Sequence, residues 1–162
     1  MSSRATLFAL VLLGGLTALL SRAAPPQAPP PKQTPKLEAI ADTKLLMEGL
    51  NQANFRGLEK QLSQKPADRD SWSFVRGQAL LIAETGNLLL LRPPKNAGET
   101  TWMERSTDMR EAAAALARAA ADRDYDRARD RLKRLANACN RCHQSFRVAT
   151  RITAFEEQPD KP

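Results

Sequence analysis

Apolar residues recur at intervals of three and four along four stretches of the chain, and short polar or proline-containing breaks separate them. The first stretch runs from Pro35 to Leu62, with Leu37, Ile40, Met47, Leu50, Leu58 and Leu62 in register and Pro35 suited to a first helical turn. "SQKPAD" interrupts it. The second starts near Asp70, aligns Trp72, Val75, Ala79, Ile82, Gly86 and Leu89, and stops at Arg92-Pro93-Pro94, where proline removes a donor and clashes with the preceding turn. The third opens on Thr101-Trp102-Met103-Glu104, a capping-box pattern, and continues through Met109, Ala113 and Leu116. The fourth begins at Asp122 or Asp124, turns Ala128, Leu132, Leu135, Cys139, Cys142 and Phe146 inward, and extends to about Phe155. No alternating strand pattern, glycine-rich phosphate loop or internal repeat accompanies them. Four amphipathic helices joined by short breaks predict an all-α, antiparallel four-helix bundle, and the length suits one domain.

Ahead of the periodic region the chain changes character. Arg4 precedes the uncharged run "ATLFALVLLGGLTALL", and Ser21-Arg22-Ala23 puts small residues where a signal peptidase reads them. The run is shorter than the roughly 20 residues of a bilayer span, and Gly14-Gly15 weakens it as a permanent helix. Cleavage of a signal peptide over residues 1–23 and export to the periplasm are therefore expected. A retained anchor facing the periplasm is the alternative, and only that alternative gives the protein a membrane attachment. No cysteine lies near the cleavage site, which excludes a lipoprotein anchor. "APPQAPPPKQTPK" makes residues 24–36 an extended, disordered tail or linker. The bundle then occupies residues 37–155, and "EEQPDKP" forms a C-terminal tail, 156–162.

Aromatic residues make up only 5% of the chain, which favours helices over sheets. The net charge of +7 points towards acidic partners without naming one. "DRDYDRARDRLKR" alternates in sign, sets Asp126/Arg129 and Asp130/Arg134 at helical pair spacing and contains one aromatic residue. It reads as a solvated helix face and not as a nucleic-acid surface.

The chain's two cysteines and its one histidine all fall in Cys139-Asn140-Arg141-Cys142-His143. Positions i, i+3 and i+4 share a helical face, so two thiols and an imidazole project together. C-x-x-C-H is the attachment signature of haem c: each thiol adds across one vinyl group, and the adjacent imidazole reaches the iron. A disulfide here would close a tiny loop and strain the helix. A thioredoxin-type pair needs a βαβ setting, and structural zinc needs a fourth ligand that the inventory lacks. Export also fits, because haem attachment is completed outside the cytoplasm. One covalently bound haem c, with its iron, is the expected cofactor.

A bundle whose last helix carries the motif resembles the cytochrome c′ family, and "CNRCHQSFR" is similar to that family's C-x-x-C-H-x-x-[FY]-[RK] ending. The resemblance covers residues from about 37 to 155 and is specific mainly in the fourth helix. It implies that Cys139 and Cys142 form the thioethers and that His143 is the proximal iron ligand. It also implies that Arg147, one helical turn beyond, faces a haem propionate. The family's first helix supplies the residue above the iron, which makes Met47 the candidate sixth ligand; Met103 and Met109 are alternatives by chemistry. Lys44 stands where the family often has an arginine, so the propionate partner from the first helix is not assigned. The family dimerises through its first two helices, and a homodimer is an expectation here too. "LLLL", Leu88 to Leu91, marks either the end covered by haem or that interface.

The expected function is single-electron transfer by an exported monohaem cytochrome with His/Met ligation, serving redox partner proteins that carry acidic surfaces. The alternative is a high-spin cytochrome c′ that binds nitric oxide or carbon monoxide at an open axial site. No second histidine exists to act as a distal acid or base, so no enzymatic activity is expected.

Overall fold

The computed structural model describes residues 36–95 and 98–155, and these form a four-helix bundle without strands. The signal, the part of the linker up to Pro35, and the C-terminal tail expected from the sequence lie outside the described residues.

The first helix, α1, is composite: α-helical over Thr43–Leu46, π-helical over Met47–Asn51 and α-helical again over Gln52–Leu62. It starts later than the apolar spacing predicts. Asp42, in extended backbone, accepts the Leu45 N–H on Oδ1 at 2.7 Å and so fixes the first turn at Thr43. Leu37 and Ile40 precede that cap and stand 76% and 88% exposed, and Leu50 is exposed as well. Of the expected inward stripe, Leu58 and Leu62 are sealed and Met47 is half-buried.

Helix α2, Arg69–Leu90, agrees closely with its pattern. Asp68 caps it through the Ser71 N–H at 2.7 Å, and Trp72, Val75, Ala79, Ile82, Gly86 and Leu89 are all buried. A Cβ at Gly86 would sit 2.8 Å from Cβ of Arg110, so the glycine permits close approach to the next helix.

Helix α3, Glu99–Ala121, opens two residues before Thr101, which lies inside its first turn. The expected capping box is therefore replaced by Gly98, at φ 83°, whose carbonyl accepts the Trp102 N–H at 2.8 Å. A Cβ at Gly98 would also lie 3.3 Å from the Phe146 ring, so a tertiary contact adds to the demand for glycine.

Helix α4, Tyr125–Ser145, starts at the expected Asp124 cap, which accepts the Arg127 N–H at 3.1 Å. It ends about ten residues before Phe155. Arg147, at φ 56°, reverses the chain, and residues 148–155 return without regular structure. Within the charged run, Asp130 and Arg134 pair at 2.8 Å. Arg129 instead donates to the Leu62 carbonyl and lies 3.8 Å from the centre of the Phe155 ring.

Helices α2 and α3 share the most extensive interface, followed by α3 with α4 and α1 with α2, whereas α1 and α4 meet more sparsely. Short connections make sequential helices antiparallel neighbours. At one end of the bundle Leu58, Leu62, Val75, Leu116 and Leu132 are sealed. Burying each such side chain contributes about 1.5–3 kcal/mol. At the other end the helices part.

Candidate haem-binding site

A cavity of about 620 Å³ occupies the end where α1 and α4 diverge, within the usual range of cofactor sites. All four helices wall it: α1 through Met47, Asn51 and Phe55, α2 through Ile82 and Leu89, α3 through Trp102, Arg105 and Met109, and α4 through Cys139, Cys142 and His143, with Phe146 at its end. Val148, Thr150 and Ile152 of the returning segment complete it. The walls are fixed by local bonds. Trp102 Nε1–H donates to the Leu89 carbonyl at 2.7 Å and meets Phe146 edge-on, with ring centres 5.2 Å apart.

The expected spacing on α4 holds: Cys139, Cys142 and His143 all line this one cavity, and both thiols are free. Burial, followed by the neighbouring charge of Cys142, pushes the Cys139 thiol up from 9.0 to about 12. Burial also raises Cys142, where the Arg105 guanidinium pulls the other way and Asp108 adds to the rise. His143 Nδ1 lies 2.7 Å from the Thr150 carbonyl oxygen. A carbonyl only accepts, so Nδ1 carries a proton, and in the neutral ring the lone pair is on Nε2. That is the tautomer an iron ligand requires, with the ring aimed by its own backbone partner.

Met47 begins the π-helical turn and also lines the cavity, joined by Met109. Asn51, at the other end of that turn, donates through Nδ2 to both sulfurs, 3.4 Å from each. π-Helical turns inserted in α-helices often accompany functional sites. Met103 packs against the core but does not line the cavity. Leu89 is the member of "LLLL" that faces it, while Leu91 points to solvent. Lys44 reaches the rim and pairs with Glu48 at 3.7 Å.

Arg147 departs from its expected geometry. Because α4 has already ended, it stands past the turn, exposed and outside the cavity lining, and not one helical turn above His143. Arg105 of α3, which the sequence pattern does not single out, is the arginine on the wall. Its NH1 group holds Asp108 at 2.7 Å, while its Nε is buried without a partner among the described residues, as is Oδ1 of Asn51. Thr150 carries no sequence signal either, since its contribution is a backbone carbonyl.

The family model described as Cytochrome C' matches residues 97–147, which take in the whole of α3 and α4 and the pentapeptide. No curated protein and no solved structure matches the chain. Over α3 and α4 the chain is therefore similar to the cytochrome c′ family, and the C-x-x-C-H motif on the last helix of a four-helix bundle agrees with that match.

Proposed function

We propose that this protein is an exported monohaem cytochrome that carries single electrons, with its iron ligated by His143 and Met47. The observation that carries the reading is the presence of both ligand atoms on one cavity. The imidazole has its Nε2 lone pair free, and the Met47 thioether is held by Asn51.

The residues fit a haem c. Two free thiols at i and i+3 match the two vinyl attachment points, and the volume and apolar walls suit a flat macrocycle. The unpartnered, buried Nε of Arg105 suits a propionate carboxylate better than does the exposed Arg147. Bound haem supplies the one-electron Fe(III)/Fe(II) couple. Within this chain Cys139 and Cys142 anchor it, and His143 presents Nε2 under the aim of Thr150. Met47 offers one sulfur lone pair while the other accepts from Asn51 Nδ2. Phe55, Ile82, Leu89 and Trp102 exclude water, which favours the less charged reduced form. With His143 and Met47 both holding the iron, the thioether would raise the potential and no open site would remain for substrate, which is the set-up of a carrier and not of an enzyme. The net positive charge favours partners with acidic faces, and the expected signal supports a periplasmic location.

The test is the spectrum and gas reactivity of the purified holoprotein beside Met47→Ala. His/Met ligation gives a weak far-red charge-transfer band in the oxidised protein, a low-spin reduced form and slow carbon monoxide uptake. Met47→Ala then loses the band, lowers the potential and admits carbon monoxide at least about tenfold faster, a difference of roughly 1.4 kcal/mol in barrier. An unmutated protein that is high-spin and takes up carbon monoxide or nitric oxide at once overturns the carrier function in favour of gas binding.

A further inference from the structure

The family match ends at residue 147, but the cavity wall does not. Hydrogen bonds and one stacking contact bind the chain beyond Arg147 to the bundle. Asn140 Nδ2 donates to the Ile152 carbonyl at 2.7 Å, and the Ile152 N–H donates back to Asn140 Oδ1 at 2.8 Å. Further along, the Phe155 N–H donates to Glu59 Oε1 at 3.0 Å, and the guanidinium of Arg129 covers the Phe155 ring. At the start of the segment, the Val148 N–H donates to the His143 carbonyl at 2.8 Å. Between these anchors lies Thr150, whose carbonyl holds His143 Nδ1.

From this arrangement we infer that residues Val148 to Phe155 form a proximal strap, and that Asn140 is the positioning residue that latches it so that Thr150 aims and polarises the His143 imidazole. The inference rests on His143 being the iron ligand. Asn140 fits the role because its amide offers one donor and one acceptor in the geometry of a peptide edge, so it pairs with the N–H and C=O of a single residue as a β-strand would. It also stands nearly one turn before His143 on the same helix, within the motif itself. Thr150 lies only two residues from the latched Ile152, so loss of the latch loosens the carbonyl at Nδ1 directly. A carbonyl at Nδ1 shifts electron density towards Nε2, which strengthens the bond to iron and favours the oxidised state.

The experiment compares holoprotein with Asn140→Ala and Glu59→Ala, the second loosening only the far anchor, where the Arg129 contact with Phe155 remains. The readouts are the iron–histidine stretching frequency of the reduced, five-coordinate state after carbon monoxide photolysis, the reduction potential, and protease cleavage between Val148 and Phe155. Asn140→Ala should lower the stretching frequency, raise the potential and expose the strap to cleavage, with both thioethers intact by mass. Glu59→Ala should move the same readouts in the same direction by less. Unchanged frequency and potential in Asn140→Ala, with or without strap cleavage, overturn the positioning role. Absence of an iron–histidine band from the unmutated protein instead removes the ligand assignment on which the inference stands.

Discussion

At the end of the bundle where α1 stops and α4 starts, Leu58, Leu62, Val75, Leu116 and Leu132 leave almost no surface to water. At the opposite end Met47, Phe55, Met109 and Cys139 surround a cavity, and buried polar atoms of Asn51 and Arg105 have no partner among the described residues. The first region is held by contacts between the chain's own side chains. The second has walls that forfeit those contacts until a guest supplies them. Even the single helix α1 divides this way, from its π-helical turn and exposed Leu45 and Leu50 to the sealed face of Leu58 and Leu62. Stability and chemistry are thus assigned to different ends of the same four helices.

The largest test of that division removes the anchor. Cys139→Ala with Cys142→Ala should abolish covalent haem and open the cavity end selectively. Amide exchange across Met47 to Gln52 and through the returning segment should rise at least about tenfold, or roughly 1.4 kcal/mol of local stability. Amides near Val75, Leu116 and Leu132 should keep more protection. Equal loss at both ends would show that the bundle unfolds as one unit and would erase the distinction.

A smaller, complementary effect belongs to the closed end. Leu132→Ala empties a site with no exposure and should cost about 2–5 kcal/mol in denaturant titration. The visible spectrum of the folded protein should stay unchanged, because Leu132 does not line the cavity. A spectral shift at low denaturant would mean that the two ends are mechanically coupled.

The same division explains what could be read from sequence. Helix α2 is legible residue by residue, from Trp72 to Leu89, because every inward position packs on neighbouring helices. The Asp124 cap and the shared face of Cys139, Cys142 and His143 are legible too, since both depend on contacts within one helix. Leu37 and Ile40 mislead because apolar spacing continues upstream of the Asp42 cap, where nothing buries it. Thr101 misleads because the start of α3 is set by Gly98 and its contact with Phe146, distant in sequence. The strap is hidden for the same reason. "VATRITAF" contains no breaker, and only the bonds to Asn140, His143 and Glu59 show why it leaves the helix. Arg105 resembles any surface arginine in the sequence, and only the fold puts its buried Nε on the cavity wall.

The finest test uses the thiols of the haem-free chain as probes of the cavity end. Burial raises both, Cys139 to about 12, while at Cys142 Arg105 opposes the rise. Thiolate is the reactive form, so Cys142 should be alkylated before Cys139 at pH 8, and both more slowly than in the denatured chain. The sign for stability follows from the proton balance. With folded values above the ordinary 9.0, the folded chain retains protons that the unfolded chain releases. The thiols' contribution is therefore fully present below 9.0 and is lost as pH rises from 9.0 towards about 12, by at most about 1.4 kcal/mol per pH unit for each group. In the holoprotein the sulfurs would be thioethers with no proton to release, and this alkaline loss should vanish. Urea midpoints of the two forms between pH 8 and pH 10 measure the difference. Parallel curves, or alkylation of Cys139 ahead of Cys142, would mean that the haem-free cavity end does not keep its thiols buried, and that the closed end alone survives without haem.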